Sequence, residues 1–473
     1  MSRAAGTARV LGPCLVLGWA ILFAPGATAQ QAPPTPAPAP PAREQQPGSG
    51  AQVHTGTASG LNAEIRLQNL LADHQYFRLA DELDQLPSDE AQLYRGILAN
   101  RENNARKSIA LLEPLIDKVA ASGDIMREKL LRKALAEDYL RAGEMTKAAN
   151  AYRELETRAG NKLNSDERDE IEMPLKMLPL AASNPPMTVD PCDPFIMQVS
   201  RDPLGLTDIP VFVDAMPHSW MLDPTAPFNL IARSLAREVG LKVSEDAVTI
   251  HSLTGKPMQV HVTVIPRFTI GGRLTLRNMT AFVFEDADYF FENTKYRVQG
   301  VLGYAALQAL GSVTITGDAT IEVKPGTSDN KDTTNTRGAH FFLDGDQIIL
   351  ALGSAGNERM YAVDAAGQQS YFTSRYYDEH VGEFAGQTPA ITTIHGLEAQ
   401  KAQPAYLAET TSLDIGGTLV HAHYIEVLTQ PVGDAALDDV YGVLGVDVLD
   451  QFRRYTFDYR NMRFFVGPED DAR

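Results

Sequence analysis

Apolar residues fall into two regimes along the chain. Over residues 61–178 they recur at three- and four-residue spacing, the period of amphipathic helices. From about residue 195 onward the pattern changes to alternation, rich in Val, Ile, Phe and Thr, as in Gln259-Val260-His261-Val262-Thr263-Val264. Alternation of this kind predicts short β-strands. Between the regimes, Asn184-Pro185-Pro186, Pro191 and Pro194 mark a boundary. The chain is therefore read as multidomain, α followed by all-β.

Within the alternating region a set of anchors occurs twice. Trp220-Met221-Leu222-Asp223 brings an apolar run onto an acid, and Tyr361-Ala362-Val363-Asp364 does the same. Thr249-Ile250-His251-Ser252-Leu253 has its counterpart in Thr393-Ile394-His395-Gly396-Leu397. Phe268-Thr269-Ile270-Gly271-Gly272 matches Leu413-Asp414-Ile415-Gly416-Gly417, and Gly300-Val301-Leu302-Gly303 matches Gly442-Val443-Leu444-Gly445. From acid to last glycine the spacing is 80 residues in one copy and 81 in the other. Each copy closes on a short alternating run, Val313-Thr314-Ile315-Thr316 and Tyr455-Thr456-Phe457-Asp458. A period of about 140 residues indicates a duplicated domain and not a solenoid.

The doubled pattern resembles the aspartic peptidases of the pepsin and retropepsin type, and more closely the bacterial two-lobed, retropepsin-like proteins. The resemblance covers roughly residues 195–467. It implies a bilobed β-barrel domain, with lobe 1 at 195–325, an inter-lobe linker at 326–338 and lobe 2 at 339–467. It assigns Asp223 and Asp364 as the catalytic acids, Gly303 and Gly445 as loop support behind them, and Leu253, Gly255 and Leu397 as substrate-binding flap residues. Two carboxyls facing each other do not easily both ionise; sharing a proton, they act as acid and base together on a water and a peptide carbonyl. The chain departs from the family in the motif itself. Asp-Thr-Gly is replaced by Asp223-Pro224-Thr225 and Asp364-Ala365-Ala366. Pro224 has neither hydroxyl nor N–H, and Thr225 and Ala366 carry a Cβ where glycine is expected. Two functions follow: an endopeptidase using the acid pair, or a degenerate peptidase fold that binds peptides or proteins without cleaving them.

The helical regime carries Leu135-Ala136, Tyr139, Gly143-Glu144, Ala148 and Tyr152, with fainter echoes at Gly96, Ser108 and Leu112 and at Leu67 and Ala80. These resemble tetratricopeptide helical hairpins, in which small residues let paired helices approach. The resemblance implies a partner-binding surface; a plain helical cap on the β domain is the alternative.

Charge and composition narrow the class. A net charge of −18 without a basic cluster argues against a nucleic-acid partner. Arg3 and Arg9, the apolar run from Val10 to Ala24, and Ala27-Thr28-Ala29 read as a signal peptide over 1–29. Export to the periplasm or beyond follows, with no membrane attachment after cleavage. Residues 30–60, rich in Pro and Ala, read as a disordered linker. Of the 2 cysteines only Cys192 lies beyond the signal segment, so an intramolecular disulfide is not expected. No metal or other cofactor is expected either: the 10 histidines are scattered and no cysteine pair exists. Gly271-Gly272 and Gly416-Gly417 read as hairpin turns and not phosphate loops, because no helix start follows them.

Overall fold

The computed structural model describes residues 58–467 apart from 224–225, 227, 252–256, 292–293, 327–337, 346, 355, 365–368, 396–399 and 433–434. The signal and linker segments therefore lie outside the described residues, as do Leu253, Gly255, Leu397 and most of the inter-lobe linker. The chain has a helical N-terminal region and a large β-rich C-terminal region. Among the described residues no helix is long and apolar enough to cross a membrane.

Helices run from Ala58–Ala72 to Ser165–Ala181, a little beyond the 61–178 read from periodicity. Three of their starts are capped by short polar side chains. Asn104 accepts from the Lys107 N–H, Asp124 from the Met126 and Arg127 N–H groups, and Asn164 forms a reciprocal capping box with Glu167. The helices Ile125–Arg141 and Met145–Ala159 pack as a hairpin over Ala136 and Ala148, both fully buried, with Tyr139 and Tyr152 buried beside them. The earlier hairpin is close-packed at a glycine. A Cβ on Gly96 would stand 2.3 Å from Leu112, and the Ser108 hydroxyl donates to the Gly96 carbonyl at 2.8 Å.

The helices do not stand apart from the strands. Tyr76 and Phe77 pack on Phe342, with ring centroids 4.6 and 5.5 Å away, in the hairpin Ala339–Asp344 and Gln347–Leu352. At its turn, Asp344 takes Arg101 at 2.9 Å and His74 at 3.1 Å, and Arg141 donates to the Gly345 carbonyl. One apolar core runs through both regions.

In the β region the same pairings occur twice. The strand Met216–Leu222 lies parallel to Gly300–Leu302, which is antiparallel to Leu230–Ala232, which is parallel to Leu274–Phe284. Arg359–Val363 lies parallel to Gly442–Leu444, which is antiparallel to Tyr371–Phe372, which is parallel to Thr418–Leu428. Gly271, Gly272, Gly416 and Gly417 turn the long hairpins with positive φ, the conformation that favours glycine. The expectation of uniformly short strands is corrected: Pro257–Ile270 spans 14 residues and Gln400–Ile415 spans 16. Each is interrupted once in its pairing, without a change of register, opposite a left-handed residue of its partner strand, Asn278 or Tyr424. The two copies join where Ser312–Thr316 pairs antiparallel with Arg454–Asp458.

Candidate active site

Each acid stands at the end of a buried strand. Trp220, Met221 and Leu222 are buried ahead of Asp223, and Tyr361, Ala362 and Val363 ahead of Asp364. Beyond the strand end the backbone still follows its parallel neighbour. The Asp223 N–H donates to the Leu302 carbonyl at 3.4 Å, and the Asp364 N–H to the Leu444 carbonyl at 3.0 Å. Both acids are thus gripped from behind by the segment that ends in Gly303 or Gly445. They differ in exposure: Asp223 has none, and Asp364 is half-buried.

The glycines behind the acids are required by close approach. A Cβ on Gly303 would lie 2.3 Å from the Phe228 carbonyl, so any side chain there drives the segment off the acid's loop. Gly300 sits on the Trp220 indole and Gly442 against the Phe372 ring, with a Cβ 2.3 and 2.7 Å from them. These contacts seat the threading strands against each copy's own core.

Sequence reasoning missed a second tie. Six residues after each acid stands a buried polar side chain, Asn229 or Ser370. Asn229 Oδ1 accepts the Gly303 N–H at 3.0 Å while its Nδ2 donates to the Thr280 carbonyl. Ser370 Oγ accepts the Gly445 N–H at 2.7 Å and donates to Asp447 Oδ1 at 2.6 Å, and Asp447 also accepts the Ser370 N–H. A polar residue at equal distance from both acids was the available signal.

Aromatic side chains stand around Asp223. Burial, and then the negative charge of Asp223, push the Tyr289 phenol above its ordinary range. Tyr459 is raised by burial, then by Tyr304 and Asp223. On the neighbouring strand Asp208 pairs in register with Met221, and Tyr296 donates to its carboxylate at 3.5 Å. Burial, and then the charge of Asp202, push the Asp208 carboxyl up to about 6. Neither Asp202 nor Asp208 was singled out from sequence, although an acid at the buried end of Ile209-Pro210-Val211 is an irregularity in that pattern.

His251 and His395 each end the strand that leads toward an expected flap tip, and their side chains lie outside the described residues. The same holds for the motif positions Pro224, Thr225, Ala365 and Ala366.

An aspartyl protease family model matches residues 209–306, from the strand leading into Asp223's hairpin to just past Gly303. This supports an aspartic-protease fold for the β-rich region. The chain is similar to basic 7S globulin from soybean, at 11% identity and TM-score 0.37, over 59% of this chain and 95% of that one. It is similar also to a retropepsin-like aspartic protease from Rickettsia conorii, at 16% identity and TM-score 0.19, over 29% of this chain and 92% of that one. No curated protein matches the chain.

Proposed function

We propose that this is an exported, two-lobed aspartic endopeptidase in which Asp223 and Asp364 form the acid pair that activates water against a peptide in the inter-lobe cleft. One observation carries the reading: each acid's N–H is held by the carbonyl of the last residue of an identically paired glycine segment, Leu302 in Gly300–Leu302 or Leu444 in Gly442–Leu444. A lone acid after a strand is usually a turn residue. Two acids in one repeated backbone setting are a matched pair. In this reading one carboxyl serves as base toward the water while the other, protonated, donates to the carbonyl oxygen.

The test is cleavage of an unfolded protein at acid pH. Asp223→Asn and Asp364→Asn should each abolish it, statine-type transition-state mimics should inhibit it, and chelators should not. Cleavage that survives both substitutions removes the pair from the account. Export rests on residues 1–29, and an exported protein beginning near Gln30 is the result expected from N-terminal sequencing.

A second reading is favoured by the complete burial of Asp223 and by the altered motif positions. Here the fold binds peptide or protein without hydrolysis and the helical region recruits a partner. Peptide retained in stoichiometric complex at acid pH, with no cleavage, selects it over the first.

A further inference from the structure

Away from both acids, a cavity of about 640 Å³ lies against the strand pair that joins the two copies. Ser312 and Thr314 line it from one copy's closing strand, and Arg454, Thr456 and Asp458 from the other's. Lys324 and Arg460 complete its charged lining, with the turn at Gly416-Gly417 beside Gly338 as a wall. That wall is close-packed backbone: a Cβ on Gly416 would fall 2.0 Å from the Gly338 carbonyl carbon. The volume is that of a site for a small molecule.

The charges of the lining do not cancel. Asp458 is buried and accepts the backbone N–H groups of Arg460 and Asn461, the Asn461 amide and the Arg460 Nε–H. Its negative charge is met by these four donors. Arg454 is held in place by a two-pronged pair with Glu322, at 2.9 and 2.7 Å, which leaves its Nε–H outside that pair. Lys324 makes no ion pair among the described residues. A cationic pocket in a chain of net charge −18 is against the general trend of the surface. Hydroxyls of Ser312, Thr314 and Thr456 stand beside it as hydrogen-bonding groups, Ser312 and Thr314 both buried.

We propose that this cavity is a binding site for a compact polyanion, one bearing phosphate or clustered carboxylate oxygens. Lys324 supplies the charge that no carboxylate balances, Arg460 the guanidinium N–H groups left outside its contact with Asp458, and the threonine and serine hydroxyls the shorter contacts. Ammonium and guanidinium groups with hydroxyl donors form the usual recognition set for such oxygens. The ligand would touch both closing strands at once, so its binding would favour the joined state of the two copies.

The full chain titrated calorimetrically with inorganic phosphate, and separately with citrate, at low salt and pH 7 provides the test. Saturable binding is expected at roughly 1 mM or tighter for at least one of them, the level a few charge-assisted contacts sustain. Phosphate alone assigns a phosphate group, and citrate alone a polycarboxylate. Lys324→Ala combined with Arg460→Gln should weaken binding at least tenfold, and exposed Lys242→Ala should leave it unchanged. Lys324 is exposed, so Lys324→Ala alone guards against loss of fold: the anion should raise the melting temperature of the natural chain and not of this variant. No saturable binding of either anion up to about 20 mM, or equal binding by all variants, overturns the proposal. Asp223→Asn should bind the anion as the natural chain does, so this outcome is independent of peptide cleavage.

Discussion

Thr314 and Thr456 face each other across two antiparallel strands, with their hydroxyl oxygens 2.7 Å apart. They are also counterparts in the repeat, and the register around them is mirrored: Ser312 pairs with Asp458 and Thr316 with Arg454. A residue paired with its own counterpart marks the local two-fold axis that relates the copies. The duplication read from the sequence is therefore built into a hydrogen-bonded seam.

Replacing one hydroxyl of that pair leaves the other without its partner; replacing both removes the need for one. Thr314→Val should cost about 1–3 kcal/mol, and Thr314→Val with Thr456→Val markedly less than twice that. Urea unfolding of the two single variants and the double variant closes the cycle. Strict additivity would show that the hydroxyls do not interact.

Asp344 ties the helices to the strands. Burial pushes its carboxyl up, and the charge of Arg101 with the hydrogen bond from His74 more than reverse this, leaving it well below the usual carboxylate range. A folded-state value below the unfolded one adds stability above the unfolded pKa, which is lost as pH falls through the folded one. The side chain is 26% exposed, so solvent reduces the effect. Asp344→Asn should destabilise by about 1–3 kcal/mol at pH 7, because Arg101 stays buried without this partner. Limited proteolysis should then release the helical region first, and the difference between variant and natural chain should shrink in strong acid.

Asp208 has the opposite sign. Its carboxyl is raised from 3.8 to about 6, so the folded protein holds more protons than the unfolded one between these values. Stability contributed at this site declines as pH rises through that window and is flat above it. Asp208→Asn should remove the decline and stabilise the chain at pH 7 by up to about 3 kcal/mol. Thermal melts at pH 4 and pH 7 provide the comparison; a variant that is less stable at pH 7 contradicts the assignment.

Ser370→Ala should loosen the loop behind Asp364, because the Gly445 N–H loses its acceptor and Asp447 loses its hydroxyl donor. The stability cost is about 1–3 kcal/mol. If the chain cleaves peptides, kcat should fall more than KM rises, since the loop carries an acid and not a binding surface. Ser370→Thr keeps the hydroxyl and should restore the rate.

Restoring the motif tests what its loss does. Pro224→Thr with Thr225→Gly, and Ala365→Thr with Ala366→Gly, return an orienting hydroxyl and a flexible residue after each acid. A lost orienting donor typically costs about 10²–10³ in rate. All four changes together should raise cleavage more than either pair alone. A natural chain already as active as the fourfold variant would show that those residues do not limit it.

What could be read in advance follows from range. The helices, the acid strands and the glycine segments were legible because periodicity and a doubled order of anchors are local or repeated. Asn229 and Ser370 were not, because a polar residue after a turn looks ordinary until its partner is seen. The long strands were underestimated because Pro266 and Pro404, which lie inside them, read as strand breaks. The grip of Asp344 on Arg101 and His74 has no sequence signal at all. Leu253, Gly255 and Leu397 lie outside the described residues, so the flap reading stands as an expectation.

His74 and Asp344 are separated by 270 residues. During synthesis at about 5–20 residues per second, roughly 15–55 s pass between the emergence of the helices and that of the hairpin that covers them. Through that interval Tyr76 and Phe77 have no strand to rest on, and the buried side of the helical region faces water or a holding factor. The nascent chain is therefore most prone to aggregate before its second copy is made, and a ribosome stalled between the two copies would display that sticky surface for as long as it waits.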